Sequence, residues 1–259
     1  MADIAKLGQE IWQARNTGTL MPRDAVASTA ARDLSYQVQA AAVAASGMTR
    51  AGWKVAATSD MAQDLLGMDG PSIGPVFAEH LFGPGDSVPV RPEHGSAIEC
   101  EIAFEMAEDL DDTRITSIDD LVSATKRAFC AVEVVGCRFD SGFKGAGISV
   151  CISDFSFNAA LVCGPDIDGW RDMDMAEASA SITQNGVAGN AGTGAAVLGN
   201  PLLALQWAAT EAQSIGLPFR KGDLVTTGTM TGVTPVKPGD EVVCDFGAFG
   251  QIPISFTAA

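Results

Sequence analysis

Histidine and tyrosine are nearly missing from this chain: His80 and His94 are its two histidines, and it has one tyrosine. Neither histidine has a metal-ligand partner at motif spacing. His94 falls in a polar turn beside Pro92 and Gly95, so both read as structural or surface residues. No serine stands in a Gly-x-Ser-x-Gly elbow, which leaves serine-hydrolase chemistry without support. Positive charge is also scarce. Lys+Arg number 16 against 32 Asp+Glu, a net charge of −16. No basic stripe relieves that field, so nucleic acid and an anionic membrane surface are unsuitable partners. An anionic substrate would need a local positive centre, which a bound metal could supply.

The six cysteines (Cys100, Cys130, Cys137, Cys151, Cys163 and Cys244) form no CxxC pair. A chain of 259 residues that is 47% hydrophobic can bury a core without disulfide staples. Reduced thiols and a cytoplasmic location are therefore expected. Met1 to Arg15 lacks the apolar segment of a signal peptide. Charged residues are missing from Ala178 to Thr210. Gln184, Asn185, Asn190 and Asn200 interrupt that stretch, so no membrane span is expected.

What is present divides into a helical start and a β-rich remainder. Ile4, Leu7, Ile11 and Trp12 recur at one-face helical spacing. A second helix is expected from about Ala25 to Ala45, entered at Pro22-Arg23-Asp24 and stopped by Gly47. Its alanines, Ala40 to Ala45, suit close helix packing. Gly52 to Ala57 reads as a strand, Asp60 to Leu66 as a helix, and Gly67 to Pro75 as a turn-rich loop. The organisation expected is an N-terminal helical region, 1–70, packed on a catalytic β-rich region, 71–259, or one single domain. Gly85-Asp86, Gly222-Asp223 and Gly239-Asp240 each read as a turn that launches a strand. Two helices interrupt the β-region. One begins at Thr116-Ser117 and runs to about Phe129. The other has Asn200 as cap, Pro201 at its first position and Gly216 as its stop. Gly192-Thr193-Gly194 begins like a dinucleotide fingerprint, but Val197 occupies the third small-residue position and no βαβ context surrounds it.

The chemistry concentrates in Ile98-Glu99-Cys100-Glu101-Ile102-Ala103-Phe104-Glu105. The alternation puts Glu99, Glu101 and Glu105 on one face of a strand. The plain reading is a half-buried strand whose charged face meets water. Glu133 lies in a second apolar strand, Ala131 to Val135, where an ionised carboxylate needs a partner. Arg138, Lys126 or Arg127 could be that partner. The alternative is a hard divalent cation, Mg²⁺ or Mn²⁺, held by Glu99, Glu101 and Glu133. Lys54 sits between Trp53 and Val55. Buried, it would have a lowered pKa and could act as acid, base or carboxylate anchor; otherwise its stem packs while its head reaches water.

Taken in order, these segments resemble the fumarylacetoacetate hydrolase superfamily, in particular its 2-keto-4-pentenoate hydratase and 4-oxalocrotonate decarboxylase branch. Trp53-Lys54-Val55-Ala56-Ala57-Thr58 is similar to a lysine-bearing strand of that family. Gly67 to Gly74 resembles its active-site loop, Ile98 to Phe104 its metal strand, and Val132 to Val135 with Arg138 its third-ligand strand. Ala195 to Leu202 and Lys221 to Thr229 are similar to its C-terminal half. The resemblance implies an α+β fold with a mixed β-roll or barrel core, N-terminal helices and a C-terminal β-rich half. It implies Mg²⁺ or Mn²⁺ at Glu99, Glu101 and Glu133, Lys54 as the catalytic residue, and Ser72, Arg138, Asp154 and Thr229 in contact with a 2-oxo acid substrate. It also implies a homo-oligomer and a lyase that adds water to 2-hydroxypenta-2,4-dienoate-like compounds. The alternatives are a decarboxylase of oxalocrotonate-like dicarboxylates, an acylpyruvate hydrolase, or a non-catalytic partner subunit.

The chain departs from the family pattern at Ser72, at Gly136-Cys137, and at Phe155-Ser156-Phe157-Asn158. The resemblance places these changes around the pocket, which would become bulkier and less acidic.

Overall fold

Helix α1 (Ile4–Thr17) is capped by the Asp3 carboxylate, which accepts from the Lys6 amide, and ends at Gly18 with φ +75°. It buries Leu7, Ile11 and Ala14 against α2 (Arg32–Ser46). The crossing point is Gly8: a Cβ there would lie 2.6 Å from the Ala41 carbonyl carbon. The computed structural model describes residues 3–29, 31–110 and 117–259.

The helix expected from about Ala25 is split. Arg23–Thr29 forms a 3₁₀ turn before α2 begins. Side chains cause the break. Thr29 Oγ1 donates to the Val26 carbonyl at 2.8 Å, and Ser35 Oγ to the Thr29 carbonyl at 2.7 Å. Both offer the backbone an alternative to continued helix. The end of α2 is at Gly47, φ +65°, as its sequence predicts.

Strand β1 (Arg50–Ala56) leads into α3 (Asp60–Leu66) and β2 (Ser72–Phe77). There follow β3 (Leu81–Phe82), β4 (Ser87–Val90), β5 (Ala97–Met106), α4 (Ile118–Ala124) and β6 (Thr125–Val135). The helix expected to reach Phe129 ends at Ala124 instead; Thr116, its expected start, lies outside the described residues. Pairing with β5 on one side and with β7 on the other draws the following residues into β6, an instance of tertiary context overriding local propensity. The remainder comprises α5 (Gly147–Ser153), β7 (Asn158–Asp166), β8 (Ser179–Gln184), β9 (Val187–Thr193), α6 (Pro201–Ser214), β10 (Leu224–Thr226), β11 (Thr234–Pro235), β12 (Glu241–Asp245) and β13 (Gln251–Ala258).

The fold is mixed α+β. The larger sheet runs β2-β1-β10-β5-β6-β7-β3, with β11 also on β5, and it curls into a half-barrel. A second sheet runs β4-β13-β12-β8-β9. Strand β1 sits inside the larger sheet between β2 and β10, so that sheet crosses residue 70.

All three Gly-Asp turns launch strands, and each uses its aspartate alike. Asp86, Asp223 and Asp240 accept from the backbone amides of Gly83, Arg220 and Lys237 at 2.7, 2.9 and 2.9 Å. Asn200 caps α6, accepting from the Leu202 amide, with Pro201 opening the helix. No helix among the described residues is long and apolar enough to cross a membrane.

Candidate metal centre

The β5–β6 ladder is antiparallel and pairs Glu99 directly with Glu133. Alternation along β5 sends Ile98, Cys100, Ile102 and Phe104 into the main core, leaving Glu99 and Glu101 on the opposite face. Val132 and Val134 likewise flank Glu133 in that core. Three carboxylates thus share one face, with one oxygen from each lying within 4.8 Å of the others. Glu105, on the same face two pleats along, is separate. Lys126 Nζ and Arg127 Nε each lie 2.6 Å from its carboxylate.

Each buried glutamate is held by one oxygen. Glu101 Oε2 accepts from the Gly228 amide at 2.8 Å, and Glu133 Oε1 from Asn158 Nδ2 at 2.9 Å. Gly228 has φ +104°, and a Cβ there would fall 1.9 Å from Thr58 Oγ1, so glycine is required for this approach. The free oxygens converge. Glu101 Oε1 is buried with no hydrogen-bond partner, and Glu133 Oε2 lies 3.0 Å from Lys54 Nζ.

Crowding these charges away from water shows in their protonation. Burial pushes Glu99 up to about 7, with Lys54 opposing and Glu133 adding to the rise. Burial, then Glu133 and Glu99, push Glu101 well above the usual carboxylate range. Lys54 is 2% exposed, but its expected lowered pKa is not found. Burial does lower it, yet Glu133, Glu99 and Glu101 together raise it above the ordinary lysine value. The partner of Glu133 is thus Lys54 and not Arg138, Lys126 or Arg127 as expected: Lys54 comes from β1, three strands from β6.

An all-carboxylate set with a buried, unpartnered oxygen fits a hard divalent cation. Beside it lies a cavity of about 320 Å³, lined by Lys54, Glu99 and Thr229 and walled by apolar residues including Leu65, Phe143 and Phe157.

The fumarylacetoacetate (FAA) hydrolase C-terminal family model matches residues 69–255, well over half of the chain. The chain belongs to this family. It is 33% identical over 209 residues to a 2-keto-4-pentenoate hydratase of Burkholderia vietnamiensis, covering 80% of this chain and 78% of that one. It is 31% identical over 208 residues to the TodF product hydratase of Pseudomonas putida, covering 80% and 76%. Among solved structures, the fold is similar to 4-oxalocrotonate decarboxylase from Pseudomonas putida G7, complexed with magnesium and adipate. The TM-score there is 0.87, at 22% identity over 98% of this chain and 97% of that one.

Of the other residues expected at the family's site, Thr229 lines the cavity and Ser72, Arg138 and Asp154 do not. Thr229 lines the cavity, donating its hydroxyl to the Gly232 carbonyl at 3.1 Å. Ser72 is buried against Ser156 Oγ at 2.9 Å and Cys151 Sγ at 3.4 Å, and does not line the cavity. Arg138 and Asp154 pair with each other, Nε to Oδ1 at 2.5 Å, and neither lines it. Burial pushes Asp154 up to about 6 against the pull of Arg138. Of the expected bulky replacements, Phe157 forms cavity wall, while Phe155 packs edge-on against Trp12 and Phe77. Two residues that touch the trio went without a role in the sequence, Asn158 and Gly228. The turn Thr227-Gly228-Thr229 signalled the second; the first stood only as the last residue of the Phe155-Ser156-Phe157-Asn158 departure.

Proposed function

We propose that this family member is a metal-dependent hydro-lyase that adds water to 2-hydroxypenta-2,4-dienoate-like substrates, with Glu99, Glu101 and Glu133 as ligands for Mg²⁺ or Mn²⁺. The observation that carries the reading is the convergence of three carboxylates and Lys54, with Lys54 and Glu99 lining an apolar cavity. The relatives named as 2-keto-4-pentenoate hydratases support it. A divalent cation supplies, when bound, Lewis-acid stabilisation of the negative charge that builds on the substrate's 2-oxygen.

The chain's own residues do the rest. Lys54 Nζ is held at the trio as a cation, so it donates a hydrogen bond to the substrate's 2-oxygen. The same three carboxylates raise its pKa; neutralising them lets burial lower it, which suits Lys54 to proton transfer. Thr229 offers a hydroxyl at the cavity wall. The dienol loses its hydroxyl proton as C5 gains one. Water then adds, its oxygen to C4 and its proton to C3. Leu65, Phe143 and Phe157 enclose the hydrocarbon end of the substrate.

Among the described cavity-lining residues Lys54 is the one cation. A distal carboxylate would find no arginine, since Arg138 is committed to Asp154. That favours hydration over decarboxylation of a dicarboxylate. The six free cysteines accord with a reducing, cytoplasmic setting. The test is turnover of 2-hydroxypenta-2,4-dienoate with Mg²⁺ and with EDTA, following dienol absorbance and CO₂ together. Loss of absorbance that needs the metal and releases no CO₂ is expected. Stoichiometric CO₂ from the dicarboxylate analogue, or full activity in Glu133→Gln, overturns the reading.

A further inference from the structure

A second cavity of about 130 Å³ collects positive charge. Arg15, Arg91, Arg138, His80 and His94 all line it. In a chain of net charge −16 these include both histidines and three of its 16 Lys+Arg. A water takes up about 30 Å³ of liquid, so the space suits a few waters or one small ion.

The charge there is not balanced. Arg15 is 7% exposed and has no ion-pair partner among the described residues. Its guanidinium donates to the backbone carbonyls of Asn158 and Ala159 and lies 3.0 Å from His80 Nδ1. The rings of Trp12, Phe77 and Phe155 surround it at 6.0, 5.5 and 5.2 Å. The Asp154 carboxylate, whose charge reaches Arg15, accepts from Arg138 Nε and from the Arg138 backbone amide, while Arg138 Nη2 donates to the Asp154 backbone carbonyl. Two buried guanidiniums thus face one carboxylate, and a buried charge left without a counter-charge is costly. Arg138 Nη1 carries no hydrogen bond among the described residues. At the rim, Arg91 donates to the backbone oxygens of Asn16 and Ala259. Glu79 and Glu93 are exposed, and Glu79 accepts from the Thr49 amide.

We propose that this cavity is a binding site for a small oxyanion, a carboxylate or inorganic phosphate, whose charge offsets Arg15. Planar guanidiniums present paired donors that match such oxygens. Both imidazoles are neutral at ordinary pH: burial first, and then Arg15 at His80 and Arg138 at His94, push each down to about 4. An anion adds the negative charge that Arg15 lacks.

Histidine-selective NMR reads the site, because both histidines of the chain line it. The full chain with Mg²⁺ is titrated separately with inorganic phosphate and with acetate, ionic strength being held by NaCl. Saturable shifts of the His80 and His94 signals are expected. Saturation by one anion alone identifies it as the preferred oxyanion. Shifts that stay linear with both, or match those of added NaCl, overturn the site. Arg91→Gln, at the half-buried rim, should weaken the saturating anion by about tenfold, the worth of one charge-assisted bond; unchanged affinity overturns the assignment. Glu101→Gln disables the metal trio and should leave the titration unchanged. If it abolishes saturation, the anion binds at the trio and the proposal fails.

Discussion

Asn158 stands behind Glu133, its Nδ2 donating to Oε1 at 2.9 Å while Lys54 Nζ lies 3.0 Å from Oε2. The amide fixes which carboxylate oxygen turns toward Glu99 and Glu101. Asn158→Ala should weaken Mn²⁺ binding by about 10- to 100-fold, the usual cost of losing a partner behind a ligand. Mn²⁺ titration followed by electron paramagnetic resonance measures it. Unchanged affinity would mean that the ladder alone orients Glu133.

Lys54 and a bound divalent cation would compete for the same carboxylates. Replacing Lys54 by methionine keeps an apolar stem of similar shape and removes one positive charge from the trio. Mn²⁺ should then bind more tightly, by about tenfold given Coulomb energies at such distances. Turnover should drop by about 100-fold or more, as for loss of a proton-transfer group. Weaker metal binding in Lys54→Met would show that the lysine organises the glutamates instead of opposing the ion.

The sequence made the carboxylate-bearing strand legible because period-two alternation is local. Ile98 to Phe104 marks core and site faces without help from elsewhere. Asn200-Pro201 and the Gly-Asp turns were legible for the same reason, each being settled within a few residues. The ion pairing was not. Lys54 comes from β1 and Asn158 from the start of β7, and only the strand order β1-β10-β5-β6-β7 brings both to Glu133. Residues 25–29 and 125–129 depart from the helices expected there because side-chain hydrogen bonds or cross-strand pairing overrode local preference. Arg138 and Asp154 lie close in sequence to site residues, yet they face one another.

His80 supplies a pH dependence whose sign follows from its contact. Arg15 Nη2 can only donate, so His80 Nδ1 accepts and the ring must be neutral. Burial first, and then Arg15, push His80 down from 6.5 to about 4. A base with a depressed pKa in the fold gives stability that is present above 6.5 and is lost as pH falls toward 4. His80→Gln keeps an acceptor that does not titrate. Between pH 7 and 5 the wild-type Tm should therefore fall further than that of His80→Gln. Parallel Tm curves would place the acid sensitivity elsewhere, with Asp154 working in the opposite direction because its pKa is raised.

Gly228 joins backbone geometry to the carboxylate trio, since its amide reaches Glu101 only while its own Cα passes close to Thr58. Gly228→Ala would place a methyl 1.9 Å from Thr58 Oγ1 at φ +104°. Strain and overlap together should cost about 3 kcal/mol or more. Gly216, with φ +74° and nothing within 4 Å of an added Cβ, is the control. There the left-handed backbone alone should cost about 1 kcal/mol. Urea unfolding of both variants, with and without Mg²⁺, separates the two effects. Gly228→Ala should lose most of its Mg²⁺-dependent gain in stability, while Gly216→Ala keeps all of its own. Equal Mg²⁺ gains in the two variants would show that the Gly228 amide does not hold Glu101 for the ion.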